Sequence, residues 1–306
     1  MEAISELRER ILEIYSRFET YITPVGRFIL ALISLIMINS GLGYMEKLSN
    51  IVIVLVVAII AAFLPLNFTI VIDALFILLH LYSLSIQVAA VIGLVFLLMF
   101  VLYFRFTPKE AIAVVITPIF FALKIPYVVP LALGFLGGPI SFISACCGTA
   151  VYYIIKGIGA DSSKYDSSFS AESALSGFKS VIDNVLNNKT MILMVIVFAL
   201  VAILANVIKR LSFDFSWLVA LAVSSISGLI VAIIGSSALD ADISIIGAIF
   251  SMFISAILVF VLQLFVNNVD YSRSEYVQFQ DEEYLYYVKA VPRYNVTTGR
   301  NRGNRS

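Results

Sequence analysis

EAIAVVITPIFFALKIPYVVPLALGFL, residues Glu110–Leu136, is the stretch whose reading decides the fold. It is apolar enough for a bilayer, yet it carries Pro118, Pro126 and Pro130 and a single cation, Lys124. Each proline lacks a backbone donor and crowds the preceding turn, so one straight helix over the whole stretch is excluded. An unpaired lysine at mid-membrane costs roughly 3 kcal/mol or more. Irregular backbone at that depth survives only where protein or a wet cavity shelters it. The stretch therefore predicts two short helices joined by a Leu123–Pro126 turn, entering and leaving by one face, either re-entrant or at full depth.

The rest of the chain supplies the context. Hydrophobic residues make up 61% of it and charged residues 13%, about half the charge of a soluble domain. Apolar blocks at roughly 28–44, 49–64, 67–84, 86–104, 138–157, 190–208, 215–235 and 243–266 approach the length needed to span. The fold class is all-α: a polytopic transmembrane bundle of about eight spans plus the proline-broken hairpin. Its parts are an amphipathic helix at 1–23, a transmembrane domain at 24–266 and a tail at 267–306; a polar loop at 159–189 divides the transmembrane part.

Lysine and arginine placement sets the orientation. With the hairpin returning, one side collects Arg8, Arg10, Arg17, Arg27, Arg105, Lys109, Lys209 and Arg210, then Arg273, Lys289, Arg293, Arg300, Arg302 and Arg305. The other side keeps Lys47, Lys156, Lys164, Lys179 and Lys189. A single crossing at 110–136 would invert everything downstream and erase that asymmetry. Both termini are thus expected in the cytoplasm.

A second proline-turned hairpin lies around Pro65. Residues 51–104 and 111–157 would then form similar helix–turn–helix–helix units of opposite orientation. Inverted repeats with broken helices are how many secondary transporters build a midplane site. Residue identity between the two units is poor, and two independent hairpins explain the pattern equally well.

Ionisable residues inside spans are the candidate chemistry. Asp73 and His80 are seven residues apart, hence on one helix face. His80 is the only histidine, and imidazole exchanges protons near neutrality. Asp73 paired with Lys124 would neutralise both. The candidate pathway is therefore Asp73, His80, Lys124 and Pro126; the plainer reading puts Asp73 and His80 near span ends, reaching headgroups or carbonyls. Asn39, Asn206 and Gln263 suit hydrogen bonds between helices, and the small residues Ser141, Ala145 and Gly148, with Gly247, Ser251 and Ser255, suit close packing.

Catalysis finds little support. Ser225-Ile226-Ser227-Gly228 lacks the first glycine of a nucleophile elbow, and no zincin motif or P-loop occurs. Adjacent Cys146 and Cys147 give neither a disulfide framework nor zinc spacing. No enzyme activity, cofactor, metal or nucleic-acid partner is expected, and the zero net charge attracts no polyanion.

Outside the bilayer, Ile4, Leu7, Ile11, Ile14, Phe18 and Tyr21 recur at three- and four-residue spacing, an amphipathic helix with a narrow seam. Basic residues do not dominate its polar face, so residues 1–22 are expected to dock on a partner helix or on the protein itself. Ser170–Leu186 reads as another amphipathic helix. Glu275–Val291 (EYVQFQDEEYLYYVKAV) reads as a β-hairpin around an acidic turn, a second candidate surface for a protein partner.

The FxDEEYxYYVKAVP pattern at Phe279–Pro292 and TPIFFALKIPYVVPL…GGP at Thr117–Pro139 resemble uncharacterised multi-pass membrane proteins of Gram-positive bacteria. The resemblance implies a bacterial plasma membrane and brings no activity with it. Two functions remain as expectations: a permease resembling a secondary transporter, or a non-transporting scaffold in a cell-envelope complex.

Overall fold

The structure is a computed structural model that describes residues 2–160, 187–212, 215–266, 275–280 and 285–290; the helix expected at Ser170–Leu186 lies outside them. The helices are α1 (Glu2–Gly41), α2 (Glu46–Ser49), α3 (Ile51–Phe63), α4 (Leu66–Leu84), α5 (Ile86–Phe106), α6 (Ala111–Ala122), α7 (Val128–Leu136), α8 (Phe142–Ala160), α9 (Lys189–Ile208), α10 (Ser216–Leu239) and α11 (Ile245–Val266). Two strands, β1 (Glu275–Gln280) and β2 (Leu285–Ala290), pair antiparallel with Val277 opposite Val288. Local signals start and stop these elements. Asn50 caps α3 by accepting from the Val52 N–H, and Asn188 caps α9 by accepting from that of Met191. Pro65 precedes α4 with a φ of −57°, the preset value that suits a helix entry.

Among the described residues seven helices are long and apolar enough to cross a membrane: α1, α4, α5, α8, α9, α10 and α11. The protein is a multi-pass membrane protein. The span expected at 49–64 is shorter than the rest, because α3 has only 13 residues. Side-chain ties nevertheless show that it traverses the bundle. Asn39 donates to Leu48 O (3.0 Å) where α1 ends, while Arg27 near the start of the apolar part of α1 donates to Leu64 O (3.1 Å). The two ends of α3 are therefore held at opposite ends of the bundle.

The same logic settles the broken hairpin. At the Arg27 end, Glu110 before α6 accepts hydrogen bonds from Ser141 and Ser144 at the start of α8. At that end also, Lys209 after α9 donates to Phe135 O in α7 (2.6 Å). Both arms of the hairpin thus meet the same end. Its turn reaches deep into the bundle, where the Tyr127 hydroxyl approaches Met194 and Phe121 stacks on Tyr152 and Phe198.

The turn has a defined chemistry. Lys124 N donates to Phe121 O and Ile125 N to Phe120 O, both at 3.0 Å, with Lys124 left-handed at φ 61°. These two bonds make a Schellman cap, with a proline shortly after it. Pro130 falls in the first turn of α7, where no intrahelical donor is lost. Of the hairpin's prolines only Pro118 lies inside a helix beyond its first turn, leaving Val114 O without its helical donor.

Two close crossings seat the hairpin. A Cβ on Gly148 would lie 2.5 Å from Thr117 Cβ and 2.8 Å from Val114 O, and one on Gly134 2.5 Å from Ala205 Cβ. Small residues there let α8 and α9 approach the broken helices. Asn206 donates to Gly134 O and Gly137 O (3.1 Å each), so with Lys209 it satisfies the carbonyls at the buried end of α7.

Contacts divide the chain into two units. Glu19–Val259 holds the bundle, whose core joins Leu35 and Ile38 of α1, Ala58 of α3, Ile77 and Leu81 of α4, Ile92 of α5 and Ile154 and Ile158 of α8. Met1–Phe18 with Phe260–Ser306 forms the other unit and includes the hairpin of strands. α1 runs through Glu2–Gly41 as two helical stretches that meet at Phe18, whose backbone is non-helical (φ −115°, ψ 16°); the amphipathic helix expected at 1–23 covers the first stretch and the turn after that break. No glycine or turn sequence separates its halves, and Pro24 is tolerated inside it.

The expected repeat has matching element order, α3-α4-α5 against α6-α7-α8. The packing differs: α4 lies mainly on α5, whereas α6 lies mainly on α8.

Candidate functional site

A cavity of about 50 Å³, room for three or four water molecules, opens among α1, α4, α5, α6 and α8. Apolar side chains such as Ile38, Phe96 and Met99 form most of its wall; its polar groups are Ser34, Asp73, Tyr103 and Cys147. Asp73 is one of the four candidate pathway residues, and His80, Lys124 and Pro126 do not line this space.

Asp73 stands about two turns into α4 from the Arg27 end, facing α1. Ser34 Oγ lies 3.0 Å from Asp73 Oδ1 and 3.0 Å from Ala31 O. One hydroxyl hydrogen cannot serve both acceptors. If the carboxyl is ionised, Ser34 donates to Asp73. If it is neutral, Asp73 donates to Ser34 Oγ, which passes its own hydrogen to Ala31 O. The geometry accommodates both states with every hydrogen used. Among the described residues no basic side chain forms an ion pair with Asp73.

The Asp73–Lys124 pair is therefore absent. Lys124 is exposed at its turn, where a cation suits the negative end of α6.

His80 is fully buried and committed. The Met45 N–H donates to Nδ1 (3.2 Å), so the ring proton sits on Nε2 and is donated to Asn39 Oδ1 (2.7 Å). Phe76 meets the ring edge-on. This histidine ties the connection after α1 to α4. Pro126 is buried and follows the Schellman cap.

Two groups escaped the sequence reading. One is Ser34, a single hydroxyl in an apolar span whose partner is 39 positions away. The other is the cluster at the Arg27 end, where the Tyr103 hydroxyl lies 2.7 Å from Asn67 Oδ1 and 3.2 Å from Pro108 O, close to Glu110 with its two serines. Tyr103 also lines the cavity, so polar groups extend from Glu110 toward Asp73. The only available signal was a glutamate directly before an apolar run. At this end, burial first and Arg210 second lower the Lys209 ammonium below its ordinary pKa.

Among the described residues no three histidine, cysteine or carboxylate side chains converge as a metal site would require. Comparison with known protein families, curated proteins and solved structures finds no match.

Proposed function

We propose that this multi-pass membrane protein is a permease whose pathway passes the Ser34–Asp73 cavity, with Asp73 as the group that takes up and releases the coupling proton. The observation that supports it is the Asp73 side chain itself: an ionisable group at membrane depth, facing a cavity, with no cationic partner among the described residues. Such a group is costly and marks ion or proton pathways. The shared Ser34 hydrogen favours a proton over a fixed ion, because it rearranges without moving a helix. The reading assigns the protein no catalytic step.

The test is flux in liposomes containing purified protein and a pH-sensitive dye. Wild type should acidify or alkalinise the lumen when candidate solutes are offered. Asp73→Asn should abolish that signal, and Ser34→Ala should weaken it. Lys124→Ala should leave it intact. Flux that persists undiminished in Asp73→Asn sinks the proposal.

A scaffold role is the second reading. The two-stranded sheet of β1 and β2 favours it, because two strands rarely persist alone and their outer edges offer a template for a partner strand. In that case deletion of 271–306 should release a specific partner and leave no flux to explain.

A further inference from the structure

The Ser34–Asp73 cavity is poor in hydrogen-bond acceptors. Ile38, Ile77, Phe96, Met99 and Val151 contribute to its apolar wall, and among the described lining residues only Ser34, Asp73 and Tyr103 carry a side-chain oxygen. Two of the three are already engaged. The Tyr103 hydroxyl lies 2.7 Å from Asn67 Oδ1, and Ser34 Oγ is shared between Asp73 Oδ1 and Ala31 O. Asp73 Oδ2 takes no hydrogen bond among the described residues. The other titratable groups at the cavity are Tyr103 from α5 and Cys147 from α8, with Glu110 beyond Tyr103 at the Arg27 end; α1 and α6 line it with none.

A carboxylate in such a wall is neutralised by a proton or by a cation, and either one excludes the other. Space and donor count decide which cation fits. A metal ion needs several oxygens to replace its water, and one open carboxylate oxygen is too few. A primary ammonium brings three N–H groups, of which the spare ones would be buried without acceptors. The cavity of about 50 Å³ has room for three or four water molecules, hence for about four non-hydrogen atoms. One N–H for Oδ2 and methyl groups for the wall describe trimethylammonium and ions of its kind.

We propose that the cavity binds a small tertiary alkylammonium ion, its single N–H donated to Asp73 Oδ2, in exchange for the Asp73 proton. The inference rests on the role proposed above for Asp73 in proton exchange, and it names the solute class. Each cation that enters sends one proton from the carboxyl to water, and each proton that returns expels the cation, so charge balances at every step. Ser34 follows the change. It donates to Asp73 Oδ1 while the cation is bound and to Ala31 O while the acid is neutral.

The experiment is saturation-transfer difference NMR on the full chain in an uncharged detergent. Trimethylammonium chloride is the probe, and propan-2-ol is its uncharged match in size and donor count. Trimethylammonium should bind about tenfold more tightly than propan-2-ol or better, the advantage of a charged hydrogen-bonded pair over a neutral one. Its affinity should fall as the pH is lowered, approaching about tenfold per unit once the carboxyl is protonated, because proton and cation compete for one group. Propan-2-ol should show no such fall. Asp73→Asn should remove both the preference and the pH dependence, and the wild-type comparisons stand by themselves if that variant does not fold. Equal affinity for the two probes overturns the proposal in favour of a purely apolar void. Displacement of trimethylammonium by an equal concentration of sodium overturns it in favour of a metal cation, and an affinity indifferent to pH overturns the exchange. The permease reading fails separately. Binding as described without Asp73-dependent flux in liposomes removes transport and leaves the site, whereas Asp73-dependent proton flux with no trimethylammonium binding removes the site and leaves transport.

Discussion

His80 and Asp73 share a helix and a spacing, but their neighbours give them different work. A histidine whose Nδ1 already accepts from Met45 N–H and whose Nε2 already donates to Asn39 has no position left for an incoming proton. His80→Leu should therefore cost stability, about 1–3 kcal/mol for the donor and acceptor left unpaired. Thermal unfolding in detergent measures that loss. Proton-coupled flux and its pH profile should survive; a shifted profile would restore His80 to the pathway. Sequence spacing correctly put both residues on one helix. It could not reveal Ser34 because that partner lies on another helix, and a lone serine in an apolar span carries no local signature. Lys124 shows the converse. Its charge at membrane depth drew a functional reading, while the Phe120–Pro126 turn explains it as the capping residue of α6, a signal that a glycine there would have made plain.

Among the elements, the α6–α7 hairpin was legible because proline chemistry is local. Pro118, Pro126 and Pro130 forbid a straight helix whatever surrounds them. What seats the hairpin was less legible, since it depends on α8 and α9 meeting it at Gly148, Gly134 and Asn206. Those contacts give a graded test. Gly148→Ala would press a methyl against Thr117 and Val114 O, an overpacking that costs about 1–3 kcal/mol. Asn206→Leu would strip Gly134 O and Gly137 O of their donor, about 1–3 kcal/mol for each carbonyl left unpaired. Denaturation of each variant should show Asn206→Leu at least as damaging as Gly148→Ala. If Asn206→Leu is silent, water or lipid headgroups reach the end of α7. The unequal packing of α4 on α5 and α6 on α8 also tempers the expected repeat: similar punctuation by proline does not require similar assembly.

For the whole molecule, hydropathy and proline placement were enough to predict an all-α polytopic bundle with one hairpin that turns back, and seven helices among the described residues are long and apolar enough to cross a membrane. The short second span, α3, could not be sized in advance, because an apolar block says where a helix inserts and not where asparagine and proline bound it. α3 has 13 residues between Asn50 and Leu64, about 20 Å of helix, yet Arg27 and Leu48 fix its ends at the two ends of the bundle. Its flank carries Ile51, Val52, Val56, Ile59, Ile60 and Phe63 exposed, so lipid must cover it. A bilayer of ordinary thickness stands about 10 Å taller than that helix. The protein should consequently dimple the membrane along one flank and prefer lipids that need little compression. Its thermal stability in liposomes should be highest with chains of fourteen carbons and fall as the chains lengthen to eighteen and twenty-two. A stability that ignores chain length would mean the surrounding helices hold the bilayer away from α3. Where a cell's bilayer is thinnest is then where the protein should gather.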